Sequence, residues 1–161
     1  MISNALNAFD KREQAIIAYT KAIDIKPDFV EANFNLGIIF HALRRYEDAV
    51  VSYNKAIELR PDFAEGYNNL GSVFVSLNRN QDAFNYFNKA IELKPDYTEV
   101  YHNLGLVLRY HEAEGFSDTL ANNCLDILNI GTAIRPADLV TSVVTLLKHH
   151  DTLKDALSSV S

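Results

Sequence analysis

One phrase is written three times in this chain: KAIDIKPDF at Lys21–Phe29, KAIELRPDF at Lys55–Phe63 and KAIELKPDY at Lys89–Tyr97, each copy 34 residues after the last. A fixed period of that length argues against a fold gathered around one central core. It points to a solenoid, in which a small supersecondary unit stacks on its neighbours because it cannot bury its own apolar side alone.

Each unit reads helix, turn, helix. Leu36, Phe40 and Leu43 fall at i, i+4, i+7, as do Leu70, Phe74 and Leu77, giving every first helix one apolar stripe. Tyr53, Ala56 and Ile57, then Phe87, Ala90 and Ile91, form the stripe of each second helix. Pro27, Pro61 and Pro95 lack an amide proton and push Lys26, Arg60 and Lys94 out of the α region, so each second helix must stop there. Asp28, Asp62 and Asp96 precede Glu31, Glu65 and Glu99 by three, the spacing of a capping box that would restart the chain as helix. Gly37, Gly71 and Gly105 sit inside helices at a cost of about 1 kcal/mol each relative to Ala, which close approach to a partner helix explains. Counting back from the second unit places the first one's start before Met1, so Met1–Phe9 is expected as a shortened first helix.

These residues resemble the tetratricopeptide repeat (TPR) family. The signature Leu-Gly is Leu36-Gly37, Leu70-Gly71 and Leu104-Gly105; the following aromatic is Phe40 and Phe74, with Leu108 departing. Alanine recurs as Ala49 and Ala83, the second aromatic as Tyr53 and Phe87, the next alanine as Ala56 and Ala90, and the closing proline as Pro61 and Pro95. Ala15, Tyr19, Ala22 and Pro27 continue the register backwards, and Asn33 stands where Tyr67 and Tyr101 conform. The resemblance implies an all-α fold, a right-handed α-solenoid of stacked helix-turn-helix units. Residues 1–111 would be the TPR array: a partial repeat 1–29, repeats 30–63 and 64–97, and the first helix of a fourth from 98. Residues 112–161 read as degenerate helices, either further repeats or an unrelated helical cap. A pentatricopeptide array, which reads RNA, would call for a period of 35 and a basic surface, and this chain has neither.

Composition narrows the partners. Net charge is −6 with pI about 5.3, which argues against nucleic acid, because phosphate binding draws on excess Lys and Arg. No apolar run approaches the roughly 18 residues a membrane span needs, and no leader pattern opens the chain, so no membrane partner and a cytoplasmic location are expected. Cys124 is the single cysteine and lies in an apolar stripe; His149-His150-Asp151 reads as a solvent-facing helix end. Neither a phosphate loop nor metal-ligand spacing occurs, so no catalytic residue, metal or cofactor is expected.

The family's geometry implies a groove lined by the first helices. Its candidate residues are Phe34, Asn35, Ile38 and His41, then Asn68, Asn69, Ser72 and Val75, then His102, Asn103, Leu106 and Arg109. Asn35, Asn69 and Asn103 recur one per unit. They either resemble the peptide-gripping asparagine row in the TPR region of protein O-linked glycosyltransferases or are an ordinary family choice at that place. The glutamates at 31, 65 and 99 are explained by capping, and no Lys or Arg stands where chaperone-binding relatives clamp a terminal carboxylate. The function expected is a non-catalytic scaffold that holds a peptide segment of a partner protein. The alternatives are the substrate-recruiting part of a larger enzyme such as a transferase, and homo-oligomerisation through the C-terminal helices, where Leu153, Leu157 and Val160 lack a following helix.

Overall fold

A computed structural model describes residues 2–112. The expectations for Cys124, for His149 to Asp151 and for the stripe from Leu153 to Val160 lie outside the described residues. Six helices follow in order: α1 (Ile2–Ile25), α2 (Val30–Ala42), α3 (Tyr46–Leu59), α4 (Ala64–Ser76), α5 (Asn80–Leu93) and α6 (Thr98–Glu112). The fold is all-α, a solenoid of helical hairpins, with no strand among the described residues. Two compact units divide it at Arg79: α1 to α4 form the first, and α5 with α6 belong to the second. In the first unit α1 packs on α2, α2 on α3 and α3 on α4; in the second, α5 packs on α6. Among the described residues no helix is long and apolar enough to cross a membrane.

The apolar stripes are the core. Leu36, Phe40, Tyr53, Leu70 and Phe74 are buried, and so are Phe87, Ala90 and Ile91 in the second unit. The prolines act where expected, since α1, α3 and α5 end at Ile25, Leu59 and Leu93, two residues before Pro27, Pro61 and Pro95. Arg60 is pushed to φ −136°, ψ 87°, the extended region a pre-proline residue prefers.

The restart differs from the capping box. The helix-entry residues are Phe29 and Phe63, and neither helix has a side-chain cap. The reason is that each Lys/Arg-Pro-Asp-aromatic segment closes as a turn: the amides of Phe29, Phe63 and Tyr97 donate to the carbonyls of Lys26, Arg60 and Lys94 at 3.1, 3.2 and 3.1 Å. This carries the chain past the aspartate before the helix begins. The basic residue then lies over the aromatic ring at 5.5 Å (Lys26 on Phe29), 5.0 Å (Arg60 on Phe63) and 5.0 Å (Lys94 on Tyr97). A cation–π contact at such exposed sites contributes about 0.5–1 kcal/mol to holding the turn closed. The hydrogen bond and ion pair from Arg60, and after it a backbone amide hydrogen bond at Glu31 itself, keep the Glu31 carboxyl below the usual range.

The turn inside each repeat is a Schellman motif. Arg44 and Asn78 adopt φ 58° and 57°, their amides donate to His41 and Val75, and the amides of Arg45 and Arg79 reach back to Phe40 and Phe74 at 2.8 and 2.9 Å. The apolar contact that usually accompanies this motif is replaced by Arg45 over Phe40 at 4.5 Å and Arg79 over Phe74 at 4.6 Å. A left-handed non-glycine residue costs roughly 1 kcal/mol. Arg44→Gly is therefore expected to raise stability by about 0.5–1 kcal/mol, read as a higher midpoint in urea denaturation at unchanged slope. A lower midpoint would show that the arginine side chain contributes more than its backbone costs.

The first repeat departs from expectation. Met1–Phe9 reads in sequence as a separate short helix, but α1 is one continuous helix over Ile2–Ile25. Asp10 stands 34 residues before Arg44 and would have to take the left-handed turn conformation, and no reversal occurs there.

Candidate peptide-binding face

Tyr53 organises the region around the first helices. It is 1% exposed, its ring centroid lies 5.7 Å from that of Phe34, and a Cβ on Gly37 would meet its ring atoms at 2.6 Å. Gly37 is thus a point of close approach between α2 and α3, as its place in the repeat implies. Burial pushes the Tyr53 hydroxyl far above its ordinary pKa, so it stays protonated, and it is hydrogen-bonded to Asn69 of α4. One side chain therefore ties α2, α3 and α4 together.

The same pairing occurs one repeat earlier, where Asn35 Nδ2 donates to Tyr19 Oη at 3.2 Å. Asn35 and Asn69 thus each spend hydrogen-bonding capacity on the tyrosine of the preceding second helix. Phe87 brings no hydroxyl to the corresponding place before Asn103. Asn33, the departure from the family's aromatic, is buried and donates from Nδ2 to the Phe29 carbonyl at 3.0 Å, while Tyr101 Oη donates to the Pro95 carbonyl at 2.8 Å. Both residues anchor a helix start to the turn before it.

The first helices α2 and α4 meet at their C-terminal ends, where His41 Nε2 and Ser76 Oγ are 3.1 Å apart. Burial lowers the His41 pKa, so at pH 7 this is a contact between neutral groups, flanked by the Tyr46 ring at 5.8 Å. Ser72 and Ser76 donate back to the carbonyls of Asn68 and Ser72, which turns their hydroxyls along the helix. Ile38 is the large apolar residue of α2 left open, 42% exposed; Asn35, His41, Asn69, Ser72 and Val75 are half-buried.

Two candidates fall elsewhere. Asn68 is 0% exposed and cannot line an open face. Phe34 is half-buried with its ring against Phe63 at 4.7 Å as well as Tyr53, so it serves the packing between helices. Both occupy the fifth position of a first helix, which the repeat turns inward in this unit. In the second unit His102 is exposed and Asn103 half-buried; Leu106 and Arg109 lie on α6 with side chains outside the described residues. The basic-on-aromatic contacts escaped the sequence reading, although their signal was present as Lys/Arg three residues before Phe/Tyr in every copy.

The TPR repeat sequence profile matches residues 4–44, 39–77 and 71–109. The chain belongs to the TPR repeat family. No curated protein matches it significantly. Among solved structures, this TPR chain is similar to a crystal structure of MamA at 25% identity and TM-score 0.65, over 96% of this chain and 87% of that one. It is also similar to MamA from Desulfovibrio magneticus RS-1, at 17% identity and TM-score 0.61, over 78% and 70% of the two chains. The first TPR of Spaghetti (RPAP3), bound to the HSP90 peptide SRMEEVD, matches at 22% identity and TM-score 0.61 over 66% and 85%. The latter two likenesses concern the fold.

Proposed function

We propose that this TPR chain is a non-catalytic scaffold that holds a peptide segment of a partner protein against the face built by α2 and α4. The observation that carries it is Ile38, an isoleucine left 42% exposed on a first helix, one turn from the half-buried polar groups of Asn35 and His41 on the same helix. An exposed apolar anchor flanked by hydrogen-bonding groups suits a peptide-binding hot spot. The fold likeness to the Spaghetti (RPAP3) TPR, which was solved with a peptide, supports the class of ligand. Ser72 and Val75 complete the face, and His102, Asn103, Leu106 and Arg109 hold the equivalent repeat places on α6.

The asparagines act on a smaller scale than a full ladder. Asn35 uses one donor on Tyr19, which leaves its Oδ1 and its second N–H for a ligand backbone. That remainder is what the likeness to the glycosyltransferase TPR region, and the alternative of a substrate-recruiting segment of a larger transferase, would depend on.

Panning a random peptide library on the protein tests the reading. Peptides enriched on the unaltered chain are expected to lose affinity about tenfold or more with Ile38→Glu, which sets a charge in the apolar contact. Failure to enrich any peptide, or equal binding by the variant, would remove the α2–α4 face from the account.

A further inference from the structure

Exposed apolar residues mark one place on the second helices of the first unit. Ile17 on α1 is 56% exposed and Val51 on α3 is 69% exposed, and they stand 34 residues apart, at the same point of consecutive repeats. Each has a glutamate four residues before it and a lysine four residues after it: Glu13 and Lys21 on α1, Glu47 and Lys55 on α3. Four residues carry a helix about 40° beyond a full turn, so each glutamate, apolar residue and lysine lie within about 80° of arc, on one face. The repeat itself does not require this pattern, since the third copy keeps Lys89 but has Gln81 and an exposed Asn85 in the other two places. Among the described residues no ion pair holds Glu13, Lys21 or Glu47, and Lys55 is paired with Glu58 at 3.1 Å, both side chains open to water.

We propose that two copies of the chain pair back to back through this face, α1 on α1 and α3 on α3, antiparallel about a twofold axis at the level of Ile17 and Val51. A second copy is the occupant because the charge pattern is complementary to itself, and in one orientation only. In the antiparallel arrangement Glu47 comes level with Lys55 of the second copy about 6 Å either side of the axis, Glu13 with Lys21 likewise, and Val51 and Ile17 each meet their own counterpart. The other twofold arrangement, α1 on α3 in parallel, sets Glu13 against Glu47 and Lys21 against Lys55, like charge on like. Seven residues from the centre, Asp10 approaches Asp24 on α1 whereas Arg44 approaches Glu58 on α3, so the outer ends roughly cancel. About eleven residues a side is half of a standard interface, so the association is weak, with a Kd of about 0.1 mM. Val51 lies about 200° round α3 from Tyr53, the residue that faces α2 and α4, so the pairing leaves the α2–α4 face of both copies open.

The test uses the full chain at low ionic strength. Sedimentation equilibrium is expected to give a weak dimer that dissociates as salt is raised. Glu47→Lys and Lys55→Glu should each weaken it about tenfold or more, because each sets like charges on both sides of the axis. Mixed one to one, the two variants should regain the affinity of the unaltered chain, since each supplies the charge that the other has lost; loss of folding would not be rescued in this way. On a Cys124→Ser background, Val51→Cys is expected to oxidise to a dimer band on a non-reducing gel, and Asn85→Cys, at the same repeat place on α5, is not. A monomer up to roughly millimolar concentration would overturn the pairing. So would a dimer that both charge variants leave intact, which would put the contact elsewhere, the C-terminal helices included. Charge variants that stay apart when mixed, or equal crosslinking by the two cysteines, would overturn the twofold register at Val51.

Discussion

Tyr53→Ala is expected to destabilise the first unit by about 4 kcal/mol, the range for deleting a buried aromatic side chain. Three losses combine in it. The ring is 1% exposed and packs at 5.7 Å on Phe34, so its removal leaves a cavity between α2 and α3. Gly37, whose backbone the ring covers, loses the contact that justifies a glycine inside α2. The hydroxyl bond to Asn69 also goes, and with it the direct tie from α3 to α4. Tyr53→Phe separates these losses, since it keeps the ring and removes only a hydrogen bond, and should cost about 1 kcal/mol. Chemical denaturation of the two variants measures both numbers. If Tyr53→Phe were as damaging as Tyr53→Ala, packing would not be the main contribution and the hydroxyl network would be.

The same reasoning ties stability to the proposed binding face. Ile38 and Asn35 are carried by α2, Asn69 and Val75 by α4, and Tyr53 touches both helices from behind. A change at Tyr53 is thus expected to weaken peptide capture even though its buried ring could not meet a ligand, whereas Ile38→Glu would weaken capture with little effect on folding. Measuring both properties on both variants distinguishes a residue that holds the face from one that forms it.

The repeating part of the fold was legible because period, stripe and proline stop all act locally. Leu36 and Leu70 needed only helical spacing to be assigned to the core, and Pro61 needed only its missing amide proton to end α3. What was not legible depended on competition between local options. Asp62 has the right chemistry and spacing for a cap, yet the turn from Arg60 to Phe63 moves the helix start beyond it. Asp10 gave no sign of whether the chain would reverse or continue, since aspartate suits both a turn and a helix surface. At the proposed binding face, position in the repeat placed Asn68 in the groove by averaging over a family, and this chain buries it completely. The Asn35–Tyr19 bond joins residues 16 apart on different helices and follows only from the stacking itself.

Gly37→Ala is expected to destabilise the protein by about 2 kcal/mol, against the direction that helix propensity alone would give. In an open helix the change would gain about 1 kcal/mol. Here the added methyl would lie 2.6 Å from Cδ1 and Cε1 of Tyr53 and 2.8 Å from Cζ, contacts that real Cβ atoms essentially never make. The ring cannot give way easily, because Phe34 bears on it and its hydroxyl is held by Asn69. Overpacking of this kind typically costs 1–3 kcal/mol, so it outweighs the propensity gain. Gly66 is the control within the same unit: a Cβ there would meet Ile57 Cγ2 at 2.8 Å and Phe63 Cδ1 at 3.0 Å, looser than the 2.6 Å approaches at Gly37 and against half-buried side chains where Tyr53 is fully enclosed. Gly66→Ala should therefore be the milder of the two in the same denaturation experiment. Combining Gly37→Ala with Tyr53→Leu should recover part of the loss, since the flat ring that the methyl strikes is gone; purely additive losses would mean that the methyl is clashing with something other than Tyr53.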